Sequence, residues 1–166
     1  MNDTKRLRFI SDIEHYHIEQ LWNSCFEGIE NLNHMNAYVP YPLTQRWQLD
    51  GFLRNGHGHQ NWVVQRKDDD AFIGFMVYGA FIPGHHHHIG FNIGFNYIRQ
   101  GYAKEALGAL LDELRTQSCS TVYGRCFEDN VGSIRTMLAS GFQNMGRTGQ
   151  RYGRNYEILC QINLVT

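Results

Sequence analysis

Residues 88–107, HIGFNIGFNYIRQGYAKEAL, decide the fold of this chain. Residues 89–93 are a short apolar run of the kind that forms a strand, and a polar loop containing Gly101 follows them. From Ala103 onward, apolar residues recur at the spacing of one helix face. A strand that leads through such a loop into a helix gathers several free backbone N–H groups. This arrangement predicts a binding site for phosphate or pyrophosphate.

The first half of the chain predicts one strand, two helices and then a hairpin of two strands. We place these elements at residues 5–10, 12–26, 44–55, 61–66 and 71–82. Ser11 and Glu14 have the spacing of a capping box for the first helix, and Thr44 is a candidate cap for the second. Residues 27–41 have no clear period, so we expect mostly loop there.

The second half predicts a further strand, a short helix and two closing strands after the helix that begins near Ala103. The strands fall at residues 121–127, 142–148 and 156–165, and the short helix is capped by Asp129 or Asn130 and ends at Gly141. There is no internal repeat or linker. We therefore expect residues 1–166 to form one mixed α/β layered domain.

Charge and cysteine content exclude several classes of protein. The chain has 15 Lys and Arg against 16 Asp and Glu, and this balance argues against nucleic-acid binding. It contains no apolar run long enough to cross a membrane, and we do not expect the segment MNDTKRLRF to be a signal peptide, because no apolar core follows it. The four cysteines are scattered, without a C-x-x-C motif. These features predict a reduced, cytoplasmic protein without a membrane partner.

The run His85–His88 suggests a metal site, because imidazole is a common ligand of zinc and nickel. Adjacent residues of a strand point to opposite faces, however, so four consecutive histidines do not build one tetrahedral site. The run is internal and follows Pro83-Gly84. We therefore expect a solvated turn entering the strand, and no metal.

Two segments resemble the GNAT superfamily of N-acetyltransferases. IGFNIGFNYIRQGYAKEAL resembles its acetyl-CoA-binding segment. FEDNVGSIRTMLASGF resembles the segment that follows it in the Rim-like branch, which holds the ribosomal-protein N-terminal acetyltransferases RimJ and RimL and their relatives. Weaker matches are Arg6-Leu7-Arg8 and Tyr41-Pro42-Leu43-Thr44. The branch elements appear here in order as Ile89-Gly90-Phe91-Asn92-Ile93-Gly94, Gly101-Tyr102-Ala103-Lys104-Glu105-Ala106, Asn130 with Ser133, and Gly141-Phe142.

The resemblance implies a single GNAT-type domain. Its mixed, mostly antiparallel central sheet would splay in a V between the two central strands and be flanked by about four helices. It also implies acetyl-CoA as co-substrate. The backbone of residues 91–93 would pair with the pantetheine arm, and Asn130 would hydrogen-bond to that arm. The implied cofactor-binding residues are Phe91, Asn92, Ile93, Arg99, Gln100, Gly101, Tyr102, Ala103, Lys104, Asn130 and Ser133.

Simpler interpretations of the single residues stand beside these. Gly101 alone predicts a tight turn, and Asn130 alone predicts a helix N-cap, which is compatible with cofactor binding. Ser133, which the resemblance places near the thioester sulfur, is also consistent with an exposed serine in the first turn of a helix.

For the chemistry, we expect a primary amine to attack the thioester directly in a ternary complex, with a backbone N–H near Ile93 stabilising the oxyanion. Candidates for the base are His88, Glu128 and Glu30, in that order. His88 takes the position at which many family members carry a glutamate, although a polar residue at a strand end is the simpler interpretation. Many relatives have a tyrosine acid where this chain has Met137, so Ser133 or a water that it holds is the substitute candidate.

The acceptor is left open by the sequence. The candidates are a protein N-terminus, ribosomal or other, a small amine such as an antibiotic or a polyamine, and an amino acid. Residues 27–41, Trp47 and residues 147–156 would line its groove. The alternative is that the chain is a catalytically weak or inactive GNAT-fold protein, with an acyl-CoA-binding or regulatory function. The resemblance does not decide between a monomer and a homodimer.

Overall fold

The protein is described by a computed structural model over residues 1–39, 41–54, 59–79, 87–153 and 155–164. The strands are β1 (Leu7–Ile10), β2 (His59–Arg66), β3 (Phe72–Gly79), β4 (His88–Ile93), β5 (Thr121–Phe127), β6 (Gln143–Tyr152) and β7 (Asn155–Asn163). The helices are α1 (His15–Cys25), α2 (Ile29–Asn36), α3 (Arg46–Arg54), α4 (Tyr102–Thr116) and α5 (Val131–Ala139). A short 3-10 turn, Phe95–Tyr97, lies between β4 and α4.

The strands of the described ranges form one seven-stranded sheet in the order β1-β2-β3-β4-β5-β7-β6. Every neighbouring pair is antiparallel except β4 and β5, which are parallel. These two central strands pair only at His88 with Tyr123 and at Ile89 with Gly124, and then they separate. The prediction of a mixed, mostly antiparallel sheet that splays between its central strands is therefore confirmed.

Two apolar clusters cover the two faces of the sheet. On one face, which we call the α4 face, Ile89 and Ile93 of β4 pack in the same cluster as Leu107 and Leu110 of α4. On the other face, the α1 face, Phe75 and Val77 of β3 pack in a cluster with helix α1; that cluster also holds Ile18, Leu21, Met35, Leu49 and Leu53. The alternation of side chains along each strand thus separates two layers of helices.

The expectation of mostly loop over residues 27–41 is wrong, because α2 occupies residues 29–36. Only Met35 of this helix is fully buried, while Ile29 is 70% exposed, so its apolar face is too narrow to give a periodic signal. Gly28, at φ +88°, separates α2 from α1 in a conformation that favours glycine. The described chain consequently has five α-helices rather than about four.

The helix starts also differ from the predicted caps. The N-cap of α1 is Glu14 rather than Ser11, and the Glu14 N–H donates to Nδ1 of His17 at 2.9 Å. At α3, the acceptor is the side chain of Gln48, which takes the N–H groups of Thr44 at 2.8 Å and Gln45 at 2.9 Å. The Thr44 hydroxyl is therefore not the oxygen that caps this helix.

The other predicted elements agree with the structure to within a few residues. β5 has the predicted bounds, Thr121–Phe127, and Gly141, at φ +94°, follows the end of α5. β6 is longer than predicted and runs to Tyr152. β3 ends its described part at Gly79, so the remainder of the strand predicted over 71–82 lies outside the described residues, as do His85, His86 and Val165.

Gly74 is required by the close approach of β3 to β4, and its replacement tests this packing. A Cβ on Gly74 would lie 2.1 Å from the backbone oxygen of Asn92, and backbone cannot move aside without disturbing the ladder. We expect Gly74→Ala to lower the free energy of unfolding by about 1–3 kcal/mol, as overpacking does. The measurement is the urea midpoint of unfolding.

Gly51→Ala is the matched control for this substitution. Gly51 lies within α3, and a Cβ there meets no atom within 4 Å. Because alanine forms helices better than glycine, by about 1 kcal/mol, the control should be neutral or stabilising. Equal urea midpoints for Gly74→Ala and the unmodified protein would contradict the described register of β3 on β4.

Candidate active site

The cleft between β4 and β5 opens where their pairing ends. Gly94 donates its N–H to Ile73 O on the β3 side at 2.9 Å, and His87 O accepts the Tyr123 N–H on the β5 side at 2.8 Å. Because backbone polar groups alternate between the two edges of a strand, Phe91 and Ile93 direct theirs into the cleft. By the same alternation, Asn92 directs its backbone toward β3.

Helix α2 is held against this strand by two side chains. Asn92 Nδ2 of β4 donates to Met35 O at 2.9 Å, and His34 Nε2 of α2 bonds to Ile93 O at 2.9 Å. Since a carbonyl only accepts, His34 carries a hydrogen on Nε2 in this contact. The sequence did not indicate His34, because the segment was expected to be loop.

The loop after β4 ends in a left-handed turn that starts α4. Gly101 is the N-cap at φ +82°, and Arg99 also has a positive φ of +60°. The first N–H groups of α4 lie here, and the side chains of Arg99 and Lys104 are exposed. The Gln100 side chain is also exposed, and its Nε2 donates to Asn96 O at 3.0 Å. These groups make the helix start a suitable site for an anion.

Tyr102 and Ala103 have only their backbones at this surface. The Tyr102 side chain is buried, and its hydroxyl accepts a hydrogen bond from Arg66 Nη1 at 3.4 Å. Ala103 is half-buried and packs against the α4-face cluster. Of the predicted cofactor residues in this loop, these two can therefore offer N–H groups but no polar side-chain contact.

Asn130 caps the helix α5 beside the cleft. Its Oδ1 accepts the Ser133 N–H at 3.1 Å, so the N-cap interpretation of Asn130 is confirmed and Asp129 is not the cap. This bond uses the amide oxygen and leaves the Nδ2 group for another acceptor. Ser133 is half-buried in the first turn of α5.

His88 lies on the α1 face within a group of polar side chains. It is 3% exposed, and its Nε2 accepts a hydrogen bond from Arg125 Nε at 3.1 Å. Arg125 also bonds Glu157 through Nη1 at 2.9 Å, and Thr148 donates to the same carboxylate at 2.8 Å. Because a guanidinium only donates, His88 Nε2 is unprotonated in this arrangement. The sequence does not bring Arg125 and Glu157 together, since their contact depends on the register of β5 on β7.

Glu128 lies on the opposite side of the sheet from His88. Its Oε2 accepts hydrogen bonds from Arg147 Nε at 3.0 Å and Nη2 at 2.7 Å. Arg147 stands opposite Ile158 in the register of β6 and β7, and Ile158 packs on the α4 face. The first two candidate bases are therefore separated by the sheet. The third, Glu30, is exposed in the first turn of α2.

Cys25 and Cys126 are not activated thiols. Burial raises the pKa of Cys25 to about 11 and that of Cys126 to about 12, so both are protonated at neutral pH. All four cysteines are free. Within the described ranges, no three His, Cys, Asp or Glu side chains are placed to hold a metal ion. Among the helices described, none is long and apolar enough to cross a membrane.

A cavity of about 690 Å³ lies outside the cleft, between the N-terminal segment and α4. Thr4, Arg6, Gly101 and Lys104 are among its lining residues, and β4, β5 and α5 contribute none. It therefore borders the loop before α4 but does not reach the separated strands. The cleft, rather than this cavity, joins the free strand edge to the start of the helix.

Comparison with known proteins gives one family. The family model described as an acetyltransferase (GNAT) domain matches residues 8–143. An uncharacterized N-acetyltransferase of Bacillus subtilis, YnaD, is 26% identical over 128 residues, which cover 75% of each chain.

Solved structures share the fold. A GNAT-family acetyltransferase from Bacillus anthracis has a TM-score of 0.82 at 20% identity, over 98% of this chain and 97% of that one. RimL, a ribosomal alpha-N-protein acetyltransferase in complex with coenzyme A, has a TM-score of 0.78 at 13% identity, also over 98% and 97%. The family match over most of the sequence confirms the resemblance found in residues 88–142, and the chain belongs to the GNAT family of acetyltransferases.

Proposed function

We propose that this chain transfers an acetyl group from acetyl-CoA to a primary amine by direct attack in a ternary complex, with residues 1–166 acting as one domain. The observation that carries the proposal is the unpaired β4 edge at Phe91 and Ile93, which leads through one loop to the left-handed Gly101 cap of α4. An extended ligand that carries both amides and phosphates matches this pair of features.

The pantetheine arm of acetyl-CoA has two amides, so it pairs with a strand edge as another strand would. Phe91 and Ile93 provide that edge, while His34 already occupies the Ile93 carbonyl. The pyrophosphate would lie on the first N–H groups of α4, beside the cations of Arg99 and Lys104. RimL, which shares the fold, was solved with coenzyme A, and this supports the same class of ligand here.

The acyl transfer itself needs positioning and a donor for the developing oxyanion. A cleft-facing N–H of Phe91 or Ile93 is the proposed donor. Met137 stands at the position of the family tyrosine and is 2% exposed, and it has no proton to give. Ser133, or a water that it holds, is therefore the proposed donor of a proton to the leaving thiolate.

The amine should approach from the α1 face, because α4 and α5 cover the other face and contact each other. His88 is on this approach side and Glu128 is not, so His88 remains our first candidate for the base. His88 Nε2 can accept a proton from the amine only after its hydrogen bond from Arg125 Nε is broken. Glu157, which already bonds Arg125 Nη1, is placed to hold the guanidinium during that step. His34 is a second imidazole on the same face.

For the acceptor, the exposed groups near α2 and α3 suggest a cationic amine with an apolar neighbour. Tyr41 is 85% exposed and Trp47 is 71% exposed, and Glu27 and Glu30 are exposed carboxylates. A protein N-terminus, ribosomal or other, and a small polyamine both fit this chemistry. Unpaired cysteines agree with action in the cytoplasm.

Ligand-dependent stability and thiol release test the proposal. A ligand that binds only the folded state stabilises it by about 2.7 kcal/mol at a hundredfold excess over Kd, so saturating acetyl-CoA should raise the Tm by several degrees. Thiol release should follow with one member of a panel of amines that includes ribosomal-protein N-terminal peptides. No Tm shift would refute the proposal. A shift without thiol release from any amine would favour the alternative, a binding protein without catalysis.

Two substitutions of Asn130 separate its cap from its proposed cofactor contact. Asn130→Asp keeps a side-chain oxygen for the Ser133 N–H but loses the amide donor, so stability should hold while the Kd for acetyl-CoA rises about tenfold. Asn130→Ala should lose both the contact and about 1 kcal/mol of stability. The measurements are urea unfolding and calorimetric titration. An unchanged Kd in Asn130→Asp would show that Asn130 only caps α5.

A further inference from the structure

One side chain of the N-terminal segment holds the loop that starts α4. Arg6 Nη1 donates to Gln100 O at 3.0 Å, although 94 residues separate them in the sequence. The Arg6 guanidinium also lies over the Tyr102 ring, with its carbon 4.5 Å from the ring centroid. The loop therefore receives support from outside its own segment of chain.

The bond to Gln100 O fixes the direction of the next N–H. In a trans peptide the C=O and the following N–H point to opposite sides, and the described chain has no cis peptide. Because Arg6 holds the Gln100 carbonyl, the Gly101 N–H must point away from Arg6. Arg99 is a non-glycine residue at positive φ, a conformation that costs about 1 kcal/mol or more and persists only where the surroundings impose it.

Arg6 also neutralises a carboxylate in the first turn of α4. Its Nε donates to Glu105 Oε2 at 2.6 Å, and its backbone N–H donates to Oε1 at 3.1 Å. The Thr4 hydroxyl bonds Oε1 at 2.5 Å. Partial burial raises the pKa of Glu105, but the bonds from Thr4 and Arg6 outweigh it and lower that pKa below its usual value. The carboxylate stays ionised and paired, so it does not oppose an anion at the helix start.

We propose that Arg6 is a positioning residue for acetyl-CoA: with Thr4 and Glu105 it fixes loop 99–101 in the shape that binds the pyrophosphate. This inference rests on the proposed function, because Arg6 would hold the loop of the same proposed acetyl-CoA site. Arg6 acts through Gln100 and Glu105 and is not assigned a contact with the cofactor. Its loss should therefore weaken cofactor binding more than it slows the transfer step.

The test compares Arg6→Met with Arg8→Met. Arg8 lies two residues further along, in β1, but it bonds Gln65 at 2.6 Å and Asp70 at 3.2 Å, at the hairpin of β2 and β3. We expect Arg6→Met to raise the KM for acetyl-CoA about tenfold with kcat within about twofold, and Arg8→Met to leave both unchanged. Equal KM values in the two variants would overturn the inference.

A second readout needs no cofactor. The Glu105 N–H donates to Gly101 O at 3.0 Å and so reports the first turn of α4. In the apo protein, hydrogen exchange at this amide should speed up about tenfold in Arg6→Met and not in Arg8→Met. An unchanged exchange rate at the Glu105 amide in Arg6→Met would overturn the inference, independently of any result on cofactor binding. If exchange is faster in Arg6→Met but acetyl-CoA does not raise the Tm of the unmodified protein, the proposed function is overturned instead.

Arg6→Lys and Glu105→Gln cover the case in which Arg6→Met does not fold. Lysine keeps the charge beside Glu105 but lacks the forked guanidinium that reaches Glu105 and Gln100 together. The KM of Arg6→Lys for acetyl-CoA should therefore lie between that of the unmodified protein and that of Arg6→Met. Glu105→Gln keeps Arg6 on Gln100 and should change KM less than Arg6→Lys. A KM for Arg6→Lys equal to that of the unmodified protein would show that charge alone is enough and would contradict the orienting role.

Discussion

Backbone N–H and C=O groups must find partners, and along the later part of β4 the neighbouring strand β5 does not supply them. β4 and β5 share only two residue pairs before they separate, so the edge at Phe91 and Ile93 carries polar groups with no neighbouring strand. Such an edge attracts any ligand that presents amides in an extended chain. The rest of the structure holds this edge open and places the left-handed Gly101 cap of α4 beyond its end.

Local and long-range contacts together maintain the arrangement. α2 is fixed on β4 through Asn92 and His34, and α5 is capped by Asn130 beside β5. Gly124 leaves space for α5 on β5, since a Cβ there would lie 2.4 Å from Met137 Sδ. At the other end of the cleft, Arg6 joins the segment before the edge strand β1 to the loop before α4. The cleft is therefore formed by several distant parts of the chain, although the polar groups along its β4 edge belong to the backbone.

The local part of the candidate site could be predicted from the sequence. β4, its loop and α4 were predicted because a short apolar run, a glycine and a helical period follow one another within twenty residues. α2 was not predicted, since it buries one residue fully and leaves Ile29 in solvent. The contact between His88 and Arg125 could not be predicted from the sequence either. Arg125 and Glu157 are ordinary charged residues until the pairing of β5 with β7 sets them on one face, and no local pattern encodes that register.

The central claim is that acetyl-CoA pairs with the open edge of β4, and backbone amide NMR during titration with acetyl-CoA tests it most directly. The amides of Phe91 and Ile93 point into the cleft, whereas the Asn92 amide points to β3. Large shifts and new exchange protection should appear at Phe91, Ile93 and Gly101, with little change at Asn92. Binding that leaves Phe91 and Ile93 unchanged, or that shifts Asn92 as much as its neighbours, would contradict the account.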